Sequence, residues 1–313
     1  MTNWIGVSLV GYFLLAFSFI IDKALLKKRI TRPAVYAFYV SILSLLSIFL
    51  IPFGVQWVGW KFFIIAMFSG ILFIWGLLFY YYAVRRNEIS RVAPLVGIVV
   101  QITTFTIAII FFDKIFTTVN LIGLFFLISG GFLISFDLPF KYKKILDGIG
   151  FAVLGGILIG IAYLLFEYLY NDFRATFGNE NVFVNGFMWT RIGLVIGGAS
   201  LFLRKKYRNN IIDSIFKKDE ENKKQRDLKT IFFFVLNKIF GGTSSILINY
   251  AILLGGATKV QAVSSVQFVF VLILASLMMR KYPKIFEEKL YFWDWAQKIG
   301  AIGLIAIGIL LIN

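Results

Sequence analysis

The chain has 313 residues, of which 59% are hydrophobic and 15% charged, with a formal net charge of +16 and neither cysteine nor histidine. That balance is far from a soluble domain's, and the missing residue types exclude disulfides, thiol nucleophiles, imidazole bases and Cys/His zinc sites. The basic charge would suggest nucleic acid in a soluble chain, but here it gathers between apolar runs, so the bilayer is the expected partner and nucleic acid is not.

Ten apolar runs follow one another at 3–21, 34–51, 62–84, 92–112, 119–137, 148–170, 182–203, 231–254, 260–279 and 297–312. Most approach the roughly 20 residues that cross ~30 Å of hydrocarbon as a helix; the tenth is short. The first run has no basic stretch before it and no A-x-A-like cleavage site after it, so it reads as a retained helix that ends at Asp22. Run three carries Trp75, Phe79 and Tyr82; run four carries Pro94, Gln101 and Thr104, and Asp113 follows it. A basic linker, 138–146, leads to run six, which holds Gly156-x3-Gly160 and ends at Glu167. Run seven holds Arg191 and Gly193-x3-Gly197. Such glycine spacing lets helix backbones approach closely in lipid, within the protein or at a dimer seam.

The segment 204–229, with Lys217 to Lys224 at its centre, reads as a solvated loop that enforces topology, or as a lipid-headgroup element. Run eight carries Lys238, Gly241, Gly242, Ser245 and Asn249, and run nine carries Gln261, Ser264 and Gln267. Phe292, Trp293 and Trp295 then form an expected interfacial aromatic belt.

The segments after runs one, three, five, seven and nine, with Lys298 at the start of run ten, hold 26 of the 32 Lys and Arg residues, and those on the other side hold four. The positive-inside rule places the 26 in the cytoplasm and both termini outside. Arg191 and Lys238 lie within runs, where ionisable groups are costly. A guanidinium at that depth can hold a carboxylate or phosphate, or complete a structural ion pair. Lys238 can anchor a substrate or snorkel to the surface. Asp22 and Glu167 are candidates for proton coupling, for gating by pairing with Arg191 or Lys238, or for interfacial capping; both are expected near the cytoplasmic edge. Gln101, Thr104, Ser245, Asn249, Gln261, Ser264 and Gln267 recur at helical spacings, so they line a cavity, with Trp75 and Tyr82 as walls, or bond helix to helix. Pro94, Gly241 and Gly242 are expected helix breaks. No P-loop, dinucleotide fingerprint, HExxH or GxSxG motif is present, and no catalytic residue, metal or cofactor is assigned.

The chain also repeats itself. Ile5-Gly6-x4-Gly11 returns as Ile149-Gly150-x4-Gly155, 144 residues on. Tyr82-Ala83 with Arg91-Val92 returns as Tyr250-Ala251 with Lys259-Val260, 168 residues on, and Ile122-Gly123-x7-Gly131 as Ile299-Gly300-x7-Gly308, 177 on. Three echoes in order imply two halves, 1–137 and 147–313, of five spans each. The expected fold is thus all-α: a polytopic membrane protein of ten transmembrane helices in two pseudo-symmetric halves.

That organisation, the segment from Tyr82 through Arg91-Val92-Ala93-Pro94-Leu95 with its counterpart from Asn249 to Val260, and the Ile-Gly-x7-Gly closing runs resemble the drug/metabolite transporter superfamily, EamA type. The resemblance implies a secondary transporter, not an enzyme, that moves a small metabolite by alternating access, with a proton as candidate coupling ion. It implies a midplane cavity lined by spans one, three, four, six, eight and nine, which leaves Arg191 outside the usual lining. An alternative is a carrier of an anionic metabolite, such as an organic acid or sugar phosphate, anchored by Lys238; a membrane enzyme or scaffold is a third. Phe112-Asp113-Lys114 stands where the family often has Gly-Glu. The family's usual cytoplasmic termini are also the reverse of what these charges predict. The expected location is a prokaryotic plasma membrane.

Overall fold

The computed structural model describes residues 4–28, 32–87, 89–135, 142–178, 180–216, 227–281 and 292–312. The start of the basic linker, the Lys217–Lys224 stretch and the segment before Phe292 lie outside them. All regular structure among the described residues is helical. In hydrocarbon, only a helix satisfies every backbone group within one apolar segment, and the sequence supplies such segments repeatedly.

In chain order the elements are α1 (Trp4–Lys28), α2 (Pro33–Leu43, continued by a 3₁₀ stretch Ser44–Phe53), α3 (Gly59–Arg86), α4 (Ile89–Phe112), α5 (Thr118–Ser135) and α6 (Tyr142–Phe177). They continue with α7 (Val182–Ser200), α8 (Lys205–Phe216), α9 (Leu228–Gly255), α10 (Ala257–Val263), α11 (Ser265–Lys281) and α12 (Phe292–Ile312). Among the described residues eight stretches, α10 joined to α11 being one, are long and apolar enough to cross a membrane. Thr118–Ile134 and Ala296–Ile312 are shorter apolar helices. Side chains such as Phe49, Phe125 and Leu310 are 75%, 66% and 78% exposed on the outer wall. An apolar exterior over a bundle of such helices makes this an integral membrane protein.

The helices pack as pairs: α1 runs along α9, α3 along both α6 and α7, α5 along α12, α4 against α6, and α11 against α1. The α3–α7 seam depends on glycine. A β-carbon built at Gly193 would stand 2.1 Å from the Ala66 carbonyl oxygen, and one at Gly70 would stand 2.0 Å from the Gly193 backbone. Gly193 and Gly197 therefore serve contact within the chain, as do Gly156 and Gly160, which face Val99 and Thr103 of α4.

Two expectations change. The first part of the 204–229 loop is the helix α8, which buries Tyr207, Ile211 and Ser214 on one face. Buried positions spaced by four and three give one inward face to an amphipathic helix even in a charged stretch. The expected breaks are also displaced: α4 stays helical through Pro94, and α9 through Gly241 and Gly242. Without competing water, a helix keeps its bonds through glycine, and Pro94, near the start of α4, removes only an early one. The interruption falls instead in span nine, at Ser264 between α10 and α11.

Candidate functional site

At the basic end of the bundle, α1, α2 and α9 converge on Asp22. The Tyr36 hydroxyl donates to Asp22 Oδ1, and Asn237 Nδ2 donates to the same oxygen at 2.5 Å and to Tyr36 at 2.8 Å. Ser18 Oγ donates to Asn237 Oδ1 at 2.7 Å. Lys238 Nζ stands 3.8 Å from Asp22 and lies over the rings of Tyr36 and Phe234, at 4.7 and 5.1 Å. Asp22, Tyr36 and Asn237 are all buried. Beside them Lys23 donates to the carbonyls of Val84 (2.7 Å) and Asn87, where a cation favours the C-terminus of α3. This connected set closes α1, α2, α3 and α9 together.

Glu167 lies at the other end. Lys114, just past α4, donates to its Oε1, and its Oε2 accepts the Ala257 N–H at 2.9 Å, capping α10. The cap follows a turn at Gly256, whose φ of 82° is open to glycine at no steric cost. From Asn237 to Gly256 along α9 is about 28 Å at 1.5 Å per residue, so Asp22 and Glu167 mark opposite faces of the bundle. The expectation that both sit at the cytoplasmic edge is therefore corrected. A cavity of about 380 Å³ opens here, lined by Phe112, Lys114, Glu167, Tyr168, Asn171 and Asp172 among others. Lys61 pairs with Asp172 at 2.9 Å on its rim.

Between the two ends sits Arg191, 6% exposed, on α7. Its Nη1 donates to Ser245 Oγ on α9 at 3.2 Å, and the guanidinium stacks over Phe187 (4.5 Å) and Phe166 (5.5 Å). Tyr170 donates to Asn249 Oδ1 at 3.3 Å, and Asn249 Nδ2 donates to the Ser245 carbonyl at 2.8 Å. The chain Tyr170–Asn249–Ser245–Arg191 thus joins α6, α9 and α7. Arg191 touches the α9 polar strip, although the family resemblance implied that span seven stands outside the usual lining.

The other candidates divide. Gln101 Nε2 donates to Ser265 Oγ (2.8 Å) and Ser264 Oγ (3.2 Å), filling the break in span nine, while Thr104 donates to the Gln101 carbonyl at 2.9 Å. For Gln101 and Ser264, helix-to-helix bonding is what the structure displays. Gln261 and Gln267 are buried, and each has an Nε2 without a partner among the described residues. Trp75 and Tyr82 do not join the polar strip. Trp75 Nε1 donates to Ser200 at 2.9 Å, Arg204 covers its ring, and Tyr82 stacks on Phe151. Both rings instead lie against α8, through Tyr207. Tyr36, Lys23, Tyr170 and Ser265 were not singled out from sequence. Of these only the Ser264-Ser265 pair carries a local signal, since paired small polar residues often mark helix irregularities.

No family model and no curated protein matches the sequence. Solved structures do match, among them a crystal structure of a protein with a TM-score of 0.63 at 12% identity, covering 98% of this chain and 97% of that chain. That likeness is one of fold alone.

Proposed function

We propose that this protein is a secondary transporter of a small metabolite, built as ten spans in two inverted five-span halves and related in fold and mechanism to the EamA-type drug/metabolite transporters. The observation that carries this reading is the pair of ionic closures at opposite ends of one bundle. Asp22 with Lys238, Tyr36 and Asn237 seals the basic, cytoplasmic end. Glu167 with Lys114 and the Ala257 N–H seals the outer end. A polar strip on α9 and the interrupted span nine lie between them, as alternating access around a midplane site needs.

Helix packing supports the two halves. Exchanging α1 with α6, α3 with α9, α4 with α10–α11 and α5 with α12 turns the α1–α9 contact into α6–α3, and the α4–α6 contact into α11–α1. It leaves α5–α12 unchanged. In this mechanism each gate opens as the other closes, and a solute, with or without a proton, biases the exchange by its differential affinity for the two states. Both termini face the outside, and the chain works in the plasma membrane.

The test is a pooled solute library presented to proteoliposomes, with mass spectrometry of the lumen with and without a pH gradient. Selective accumulation is expected. Chemical conversion of a pool member, or no accumulation in either condition, would overturn the reading in favour of an enzyme or a scaffold.

A further inference from the structure

Arg191 is a cation with an unfinished set of partners. It is 6% exposed and lies about 13 Å along α7 from Val182 at 1.5 Å per residue, beyond the reach of the headgroups. Among the described residues no carboxylate pairs with it. Among those residues its one hydrogen bond uses Nη1, and both Nε and Nη2 are buried without a partner. Those two nitrogens form the same edge of the guanidinium, the edge that grips a carboxylate or phosphate side-on with two parallel bonds. The rings of Phe187 and Phe166 lie against the guanidinium and hold its plane. Ser245 fixes the opposite edge, and Ser245 is itself tied through Asn249 to Tyr170.

Stacking on two rings offsets part of the desolvation of a cation in a bilayer, but it gives the fork no acceptor. A charge used only as a clamp between α6, α7 and α9 would be expected to spend those donors on backbone carbonyls. Here they have no acceptor among the described residues, while Tyr170 bonds Asn249 and Asn249 bonds the Ser245 carbonyl.

We infer that Arg191 is the seat of an oxyanion, the carboxylate or phosphate group of the transported solute, gripped by Nε and Nη2. Lys238, by contrast, is committed to Asp22 in the gate. The inference deepens the transporter reading and rests on it for the route by which the anion arrives.

The test reads binding apart from flux. Purified protein is melted in detergent with succinate, glutamate, inorganic phosphate or glycerol 3-phosphate, and with succinamide and glycerol as neutral counterparts. Wild type is compared with Arg191→Lys, Arg191→Gln, Ser245→Ala and, as a surface-charge control, Lys206→Gln. Either the carboxylates or the phosphates should raise the melting temperature of the wild type and of Lys206→Gln alike. Half-saturation should move up about 10-fold in Arg191→Lys, which keeps the charge and loses the fork, and about 100-fold in Arg191→Gln, as charge-assisted bonds are lost.

Ser245→Ala leaves the charge in place and should weaken binding a few-fold, so it reads the site even if the arginine variants do not fold. Stabilisation that is unchanged in Arg191→Gln, or with Ser245→Ala when Arg191→Gln does not fold, overturns the inference. So does stabilisation by the neutral compounds alone, or by nothing up to about 10 mM. Flux of neutral solutes without oxyanion binding would sink the seat and leave the transporter. Arginine-dependent binding without flux of any solute would do the reverse.

Discussion

Replacing Asp22 by Asn should open the cytoplasmic gate, and the network around it sets the size of the effect. The carboxylate accepts two charge-assisted hydrogen bonds, from Tyr36 and from Asn237, and sits 3.8 Å from Lys238 Nζ. Bonds to a charged group contribute about 1.5–3 kcal/mol and neutral ones about 0.5–1.5, so neutralising the acceptor costs roughly 1–1.5 kcal/mol per bond. The Lys238 side chain is 18% exposed, so the ion pair adds about 1 kcal/mol more, and the total is roughly 3–4 kcal/mol. Lys238→Met removes only the pair and leaves the carboxylate bonded, at a cost of about 1–2 kcal/mol. The double variant should cost less than the sum by about 1 kcal/mol, the coupling of the pair.

The chain has no native cysteine, so a single Ser18→Cys reports the gate without background. Ser18 is buried beside Asn237. A membrane-impermeant thiol reagent applied from the cytoplasmic face of inverted vesicles should react at least on the order of 100-fold faster in Asp22→Asn, and about 5- to 30-fold faster in Lys238→Met, relative to Ser18→Cys alone. Reaction within two-fold of that reference in both variants would refute the assignment of Asp22 to the gate. Strictly additive variants would refute the Asp22–Lys238 coupling.

Glu167→Gln should act at the other face. It removes the charge that holds Lys114 and caps α10, so a cysteine placed at Leu164 should label several-fold faster from the outside and no faster from the cytoplasm; the opposite sidedness would reverse the topology. The glycines separate by position. Gly193→Ala, whose new methyl would meet Ala66 backbone, should lower the melting temperature in detergent, with an overpacking cost of about 1–3 kcal/mol. Gly242→Ala, with open space around it inside α9, should raise it by about 0.5–1 kcal/mol equivalent. Equal effects at the two sites would mean that close helix approach does not limit the α3–α7 seam.

The membrane class was legible because hydrocarbon thickness is written directly into the length of an apolar run, and no soluble fold imposes that constraint. The costly residues were legible too: Asp22, Glu167, Arg191 and Lys238 stand out because a bilayer tolerates few ionisable groups. Their partners were not. Tyr36 and Tyr170 are two tyrosines among 14, and nothing local tells a hydroxyl that bonds Asp22 from one that faces lipid. Orientation about the helix axis was equally hidden for Trp75 and Tyr82. On an all-apolar helix the hydrophobic pattern is the same on every side, so it does not say that they face α8. The break in span nine escaped because serine scarcely lowers the apolar character of its run, whereas Pro94 and Gly241-Gly242 are conspicuous and stay helical.

The misplacement of Glu167 has a different origin, and it bears on mechanism. Asp22 and Glu167 lie 145 residues apart, one more than the offset that relates Gly6 to Gly150, so the repeat read from the sequence would make them near-equivalents. Equivalence suggests the same edge of the membrane only if each half contains an even number of spans. In the proposed arrangement of two five-span halves, the second half is inserted upside down, and an acid that ends span one inside must end span six outside. The structure places Glu167 with Lys114, about 28 Å along α9 from Asp22's partner Asn237. One acid per proposed half, at matching positions on inverted frames, would account for one closure at each face. On the proposed mechanism the two gates are copies of a single device, and Asp22→Asn and Glu167→Gln should shift the same equilibrium in opposite directions.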